Sequence, residues 1–160
     1  MNPIKPSWKR GIVLALSLLS AHTVFADTAA LPGTHTLTSK YSFSALVSRV
    51  EAAVAQQKMG LVGTASASAG AAGRGIKIPG NAVLMVFRND YAVRMLQASV
   101  PAGIEAPIRL YVTENPDGTA SLTYRTPSAV FAPYHSDKLQ VMATELDRIF
   151  ERITQDATGG

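Results

Sequence analysis

The chain has 160 residues, no cysteine, and 15 Lys and Arg against 11 Asp and Glu. This length suits one domain with its own core, and the lack of cysteine excludes disulfides, thiol chemistry and thiolate metal sites. Of the 15 basic residues, Lys5, Lys9 and Arg10 lie at the N-terminus, so 12 remain against the 11 acidic ones, without the basic surface of a nucleic-acid-binding protein.

The N-terminus has the pattern of a secretory signal peptide. The three basic residues precede an apolar run over 11–20, and Val24-Phe25-Ala26 follows with residues that signal peptidase accepts. The alternative is an uncleaved anchor, but the run is shorter than the roughly 20 apolar residues of a membrane-spanning helix. We therefore predict a signal peptide over 1–26, cleavage before Asp27, a periplasmic or secreted protein, and no stable membrane insertion afterwards.

A flexible lead over 27–33 and a single domain over 34–156 are expected to follow. The domain opens with a predicted strand over Thr34–Tyr41. Ser42 is a favourable helix N-cap, and apolar residues at helical spacing come after it. Gly60 stands where a glycine commonly ends such a helix.

The next segment is rich in Ser, Ala and Gly. Residues 61–69 are predicted to form a strand, and 63–75 either its edge or a mobile loop. No helix start follows the glycines, which excludes a phosphate-binding loop. The unbroken apolar run Asn81–Phe87 is typical of a strand flanked by others or covered on both faces, and Asn89 is expected to cap a helix over Asp90–Ser99.

The clearest hairpin joins strands Ile108–Glu114 and Thr119–Arg125 through the turn 115–118, whose sequence Asn-Pro-Asp-Gly favours a type I turn with a glycine bulge. Residues 126–134 contain two prolines and are predicted to be irregular. Ser136 then caps a long amphipathic helix. Its apolar stripe consists of Leu139, Met142, Ala143, Leu146, Ile149, Phe150 and Ile153.

This order of elements favours the α+β class. Only the first strand, helix and second strand could form a βαβ unit, because strands and helices do not alternate afterwards. We therefore predict a mainly antiparallel sheet with helices packed on one face.

The hairpin turn also predicts which side chains share a face. Pairing of Asn115 with Thr119 puts Arg109 directly opposite Arg125 on the polar face, with Tyr111 beside them. Like charges opposite each other destabilise a sheet unless something bridges them.

Local acids such as Glu105 and Asp90 could bridge the two arginines, which is the structural interpretation. An anionic ligand or a carboxylate of a partner subunit could also bridge them, which makes Arg109, Tyr111 and Arg125 a candidate ligand site.

Two further residues of the hairpin belong to that hypothesis. Tyr124 and Glu114 are predicted on the apolar side, with Glu114 partly buried beside the turn. The structural interpretation of Glu114 is a hydrogen-bonded strand end. The functional interpretation is that Glu114 forms one site together with Arg109 and Tyr124.

A second polar cluster lies where the third strand meets its helix. Arg88, Asn89, Asp90 and Arg94 could form an anion site there with free backbone N–H groups. Helix capping by Asn89 and Asp90, with the arginines solvated or paired, is the preferred interpretation.

Signatures of catalysis are poor. Residues 27–160 contain two histidines, His35 and His135, and no cluster of His and carboxylates at metal-ligand spacing. The run His135-Ser136-Asp137 brings triad residue types together in sequence, whereas triads assemble from separated positions. No metal and no cofactor are predicted.

Several stretches from residue 75 onward resemble one family. An Ala-Pro pair precedes a strand, a Glu precedes an Asp-Gly turn, and a Tyr-x-x-Pro follows. They lie within the segments 75–81, 86–96, 104–114, 117–118, 122–128 and 130–134. In these stretches the chain resembles the family called domain of unknown function 302.

This resemblance implies a βαβ4α architecture similar to that of TATA-binding protein. A curved antiparallel sheet would hold a long C-terminal helix, with the helix at Asp90 as an insertion. It also implies a homodimer and no known activity or catalytic residue. Three hypotheses follow: a non-catalytic homodimeric module for a small anionic or protein ligand, a structural or envelope-stress interaction protein, and a hydrolase or isomerase with an unrecognised site.

Overall fold

The computed structural model describes residue 1 and residues 30–159. Residues 2–26 of the predicted signal peptide and residues 27–29 of the predicted lead lie outside these residues. Within the described part, no helix combines the length and the hydropathy needed to cross a bilayer. Just before the first strand, the Leu31 carbonyl accepts the Thr34 N–H, and the Gly33 carbonyl accepts the Thr126 N–H.

Five strands form one open sheet. They are β1 (Thr34–Ser39), β2 (Gly60–Ala65), β3 (Asn81–Phe87), β4 (Ile108–Glu114) and β5 (Ala120–Arg125). The sheet order is β1-β5-β4-β3-β2, and every neighbouring pair is antiparallel. The first two strands lie at opposite edges, so they do not form a βαβ unit of neighbouring strands. The predicted α+β class is confirmed.

The described residues also form five helices. They are α1 (Phe43–Gln56), α2 (Ala67–Ala72), α3 (Asn89–Ala98), α4 (Pro127–Phe131) and α5 (Asp137–Thr158). Short 3-10 turns occur at Val100–Glu105 and Ala132–Tyr134. The βαβ4α order is present, with three inserted helices (α2, α3 and α4) where the resemblance implied one.

The core lies between one face of the sheet and the helices α1 and α5, which pack against each other. Residues on that face, such as Leu84, Leu110 and Leu122, are fully buried. The whole predicted apolar stripe of α5 is buried as well. On β3, burial alternates: the core side is covered, and the other side is half-buried. The run of apolar residues in β3 therefore reflects its central position between strands.

The hairpin forms in the predicted register. Asn115 and Gly118 close the turn with a 3.0 Å hydrogen bond, the Asn115 N–H donates to the Thr119 carbonyl, and Gly118 has a φ of +82°. This left-handed conformation is the glycine bulge expected from the sequence. Val112 lies opposite Leu122, and Leu110 opposite Tyr124.

The end of α1 differs from the prediction. The left-handed residue is Lys58, with a φ of +57°, and not Gly60. The Lys58 N–H donates to Ala55 and the Met59 N–H to Val54, which is the Schellman pattern. Gly60 begins β2 instead, where an added Cβ would lie only 3.2 Å from the Phe87 carbonyl oxygen.

Three other local predictions are wrong. The small-residue segment after β2 forms α2, because the Ser66 hydroxyl accepts the Ala69 N–H and alanine favours helices. Asn89 is the first residue of α3 and does not cap it. Residues 126–134 are helical and not irregular, since Thr126 caps α4 and Pro127 occupies its first turn.

Candidate functional site

The face of the sheet that points away from α1 and α5, called the open face here, is laid out in rows by the strand register. One row runs through Thr34, Arg125, Arg109 and Met85. The β4–β5 pairs begin at Leu110 opposite Tyr124, and one more step in the same register puts Arg109 beside Arg125. The predicted arginine neighbours are therefore present.

The next row of the open face carries no charge. It runs through Thr36, Thr123, Tyr111, Val83 and Ala65. Thr36 and Thr123 share a 2.9 Å hydrogen bond between their hydroxyls, and the Tyr111 side chain is exposed. The hydroxyl side chains of Thr36 and Thr123 therefore occupy one end of this row, on β1 and β5. The apolar side chains of Val83 and Ala65 occupy the other end, on β3 and β2.

The two arginines have different partners. Arg125 donates from Nε to the Pro32 carbonyl (3.4 Å) and from an Nη to the Ala129 carbonyl (3.2 Å), which orients its guanidinium. Arg109 is exposed and makes no hydrogen bond or ion pair with any residue that the structure describes. The local acids named as possible bridges, Glu105 and Asp90, do not pair with it.

A shallow concavity of about 320 Å³ lies over these two rows. Its lining residues come from four strands, from α4 and from the 3-10 turn before β4. They are Thr34, Val83, Glu105, Ile108, Arg109, Tyr111, Thr123, Tyr124, Arg125 and Val130. Four of the five residues predicted for the ligand site, all except Glu114, therefore border one space.

Glu105 is the acidic group of this concavity. The Tyr134 hydroxyl donates to its carboxylate at 3.0 Å. Burial, followed by this hydrogen bond, raises the pKa of Tyr134, so the tyrosine keeps its proton and remains a donor. Glu105 was predicted only as a possible bridge and not as a ligand residue, because its position at the rim of the concavity depends on the turn Val100–Glu105.

Glu114 does not belong to this site. It lies at the other end of β4, five residues or about 17 Å from Arg109. It is exposed, so the expectation of partial burial is wrong. Its backbone N–H donates to the Gly80 carbonyl, and its carboxylate accepts the Gly80 N–H at 2.7 Å. Glu114 thereby extends the pairing of β3 with β4, which is its structural interpretation.

Tyr124 borders the concavity, but its ring lies on the core face. It stacks on Phe150 and on His35, at centroid distances of 6.3 and 5.5 Å. Burial raises the pKa of Tyr124. The constellation of Glu114, Arg109 and Tyr124 suggested for an enzyme is therefore not assembled.

Both arginines of the second predicted cluster are paired with carboxylates. Arg88 binds Asp90 with distances of 2.8 and 3.1 Å, and Arg94 binds Glu145 with distances of 2.7 and 2.8 Å. These hydrogen bonds lower the pKa of Asp90 and of Glu145. Both guanidinium groups also lie over the Tyr91 ring. Pairing, rather than an anion site, accounts for this cluster.

Sequence reasoning missed a polar cleft of about 390 Å³ between the β1–β5 edge and α5. His35 and Tyr124 line one side, and Asp147 and Glu151 of α5 the other. Asp147 accepts the Ser128 N–H at 2.9 Å. The four-residue spacing of the two acids was visible in the sequence, but only the fold brings His35 to them. Among the described residues, no group of three or more His, Cys, Asp or Glu is arranged to hold a metal ion.

Comparison with known proteins agrees with this architecture. The chain is similar to a crystal structure titled uncharacterized conserved protein DUF302 from Bacillus stearothermophilus, with a TM-score of 0.71 and 16% sequence identity. The alignment covers 79% of this chain and 98% of that one, and at this identity it shows the fold alone. No curated protein matches the sequence.

The family model described as "Domain of unknown function DUF302" matches residues 35–157. The match extends from the second residue of β1 to the last turn of α5 and includes every residue of the open-face rows except Thr34. The chain therefore belongs to the DUF302 family.

Proposed function

We propose that the protein is an exported, non-catalytic homodimeric module that binds a small ligand on the open face of its sheet. The observation that carries the proposal is Arg109, a permanently charged group that borders a concavity without a partner among the described residues. Like charges in adjacent strands cost stability. A bound anion would offset that cost, and this is the basis for a ligand site.

The non-catalytic part of the proposal rests on the residues around Arg109. Hydroxyl groups, aliphatic side chains and guanidinium groups bind and orient ligands, but a general base is normally a carboxylate or an imidazole within reach of the substrate. Glu105, the carboxylate of the concavity, accepts a hydrogen bond from Tyr134. Glu114 lies at the far end of its strand.

Export and dimer formation have other support. Export rests on the N-terminal pattern of basic residues, an apolar run and a small-residue cleavage site. The proposal of a homodimer rests on the resemblance to the family.

Native mass spectrometry of the protein purified from its own periplasm tests the three parts together. We expect the mass of two chains that each begin at Asp27, with an additional small mass that is lost on denaturation. In the Arg109→Gln variant we expect the same dimer without the additional mass. A bare monomer would overturn the proposal, and an additional mass that the variant retains would exclude the open face as the binding site.

A further inference from the structure

We infer that the ligand is a small monocarboxylate with an apolar body. Its carboxylate would lie between Arg109 and Arg125, and its body would run over Tyr111 and Val83. This inference rests on the proposed function, because it assigns the chemical class of the ligand at the same concavity.

The arginine row supplies the donors for a carboxylate. A guanidinium has five N–H donors in a planar fork that matches a carboxylate. Arg125 uses two of them on the Pro32 and Ala129 carbonyls, which fixes its plane and leaves three. Arg109 uses none on the described residues. A carboxylate between them would accept from both side chains and remove their repulsion.

The charge of the site selects a monoanion. Two guanidinium groups and the Glu105 carboxylate border the concavity, which leaves one net positive charge. A monocarboxylate neutralises this charge. A phosphate dianion would leave an excess negative charge in the same concavity as Glu105, which is unfavourable.

The uncharged row next to the two arginines indicates the chemistry of the ligand's body. Tyr111 and Val83 are adjacent on β4 and β3, and Val130 of α4 forms a wall of the same concavity. None of these three side chains carries a charge. An apolar body in this position would remove the exposed Tyr111 ring and half-buried Val83 from water, which favours binding.

The size of the concavity limits the ligand. A volume of about 320 Å³ lies at the lower end of the roughly 300–1,000 Å³ typical of small-molecule sites. A short aliphatic or single-ring carboxylate is therefore expected, and a long-chain lipid is not.

The test is a titration of the purified protein with four probes that share one apolar chain. Hexanoate, hexyl phosphate, hexylammonium and hexanol are added to isotope-labelled protein, and the amide signals of Arg109, Tyr111, Thr123 and Arg125 are followed by NMR. We expect hexanoate to shift these signals and to bind at least roughly tenfold more tightly than the other three probes, because the other headgroups lack the matching charge.

Two variants and one control assign the binding to this geometry. Arg109→Gln should weaken hexanoate binding roughly tenfold or more, since hydrogen bonds to a charged group are lost. Glu105→Gln keeps a hydrogen-bond acceptor for Tyr134 and should improve hexyl phosphate relative to hexanoate. Arg74→Gln is the matched control, because Arg74 is exposed and does not border the concavity.

The outcomes separate the ligand class from the proposed function. Hexylammonium or hexyl phosphate could instead bind more tightly than hexanoate at the same amides and lose this binding in Arg109→Gln. That result would refute the monocarboxylate ligand but would still support a binding module. Equal hexanoate affinity in Arg109→Gln and in the wild type would refute the arginine contact. Absence of shifts with all four probes, together with a bare protein in native mass spectrometry, would refute both.

Discussion

At the scale of single residues, the neighbouring arginines of the open face show how one residue type takes two roles. Arg125 is oriented by two backbone carbonyls, so it belongs to the framework as well as to the site. Arg109 has no partner among the described residues and is available to a ligand. Their adjacency was predicted from the turn sequence alone, because a hairpin register follows from its turn. The difference between them depends on Ala129, four residues away in α4, and on Pro32, 93 residues away in sequence.

Gly80 is a second residue whose role depends on the fold. An added Cβ at Gly80 would lie 2.6 Å from the Phe43 ring, at the start of α1. We expect Gly80→Ala to lower the free energy of unfolding by about 1–3 kcal/mol, because the ring or the strand must shift. Urea denaturation followed by circular dichroism measures this change.

Gly70→Ala is the matched control for Gly80. No atom lies within 4 Å of an added Cβ at Gly70, which is inside the short helix α2. This substitution should leave stability unchanged or raise it by up to about 1 kcal/mol, because alanine favours helices over glycine. Equal destabilisation by the two substitutions would contradict the close approach of Gly80 to Phe43.

At the scale of elements, the end of α1 depends on a residue in an unfavourable conformation. Lys58 has a φ of +57° in the Schellman motif, where glycine is the usual residue. We expect Lys58→Gly to raise the free energy of unfolding by roughly 1 kcal/mol, because the contact between Cβ and the carbonyl is removed. A thermal or urea denaturation curve is sufficient to measure it.

Lys58→Ala separates this backbone effect from the loss of the lysine charge. Alanine has a Cβ like lysine and meets the same restriction at positive φ. The free energy of unfolding of Lys58→Ala should therefore stay close to that of the wild type. If Lys58→Ala stabilised the protein as much as Lys58→Gly, the conformation at Lys58 would not be the cause.

The elements also differ in how well the sequence predicted them. β3, β4, β5, α1 and α5 were located within a few residues, because each has a strong hydrophobic period or a specific turn or cap. The helix α2 was missed because its residues are all small and have no apolar period. The helix α4 was missed because the two prolines of residues 126–134 suggested irregular backbone, although proline is favourable in the first turn of a helix.

At the scale of the whole molecule, Arg49 connects the first helix to the end of the last. Its guanidinium donates to the carbonyls of Ala157 and Asp156 at 2.6 Å each, and it lies over the Tyr41 ring. The last carbonyls of a helix have no partner within the helix, and a positive charge there is favourable. Arg49 therefore caps α5 from 107 and 108 residues away in sequence.

We expect Arg49→Gln to lower the free energy of unfolding by about 1–2 kcal/mol, because hydrogen bonds from a charged donor are lost. Hydrogen exchange at the end of α5 should also become faster. Arg152→Gln is the control, because Arg152 is exposed and donates one hydrogen bond to the neutral Gln57 side chain just after α1, so a smaller loss of stability is expected. Equal effects of the two substitutions would argue against the capping role of Arg49.

The sequence by itself determined the α+β class, the hairpin register and the buried stripe of α5, because periodicity, turn chemistry and caps act over short distances along the chain. It also identified Arg109, Tyr111 and Arg125 as neighbours on one polar face. Only the tertiary structure decided that β1 and β2 lie at opposite edges of the sheet. It also decided that Glu105 borders the arginine site and that Glu114 is exposed and bonded to Gly80. These placements arise from packing between residues far apart in sequence, which no local pattern encodes.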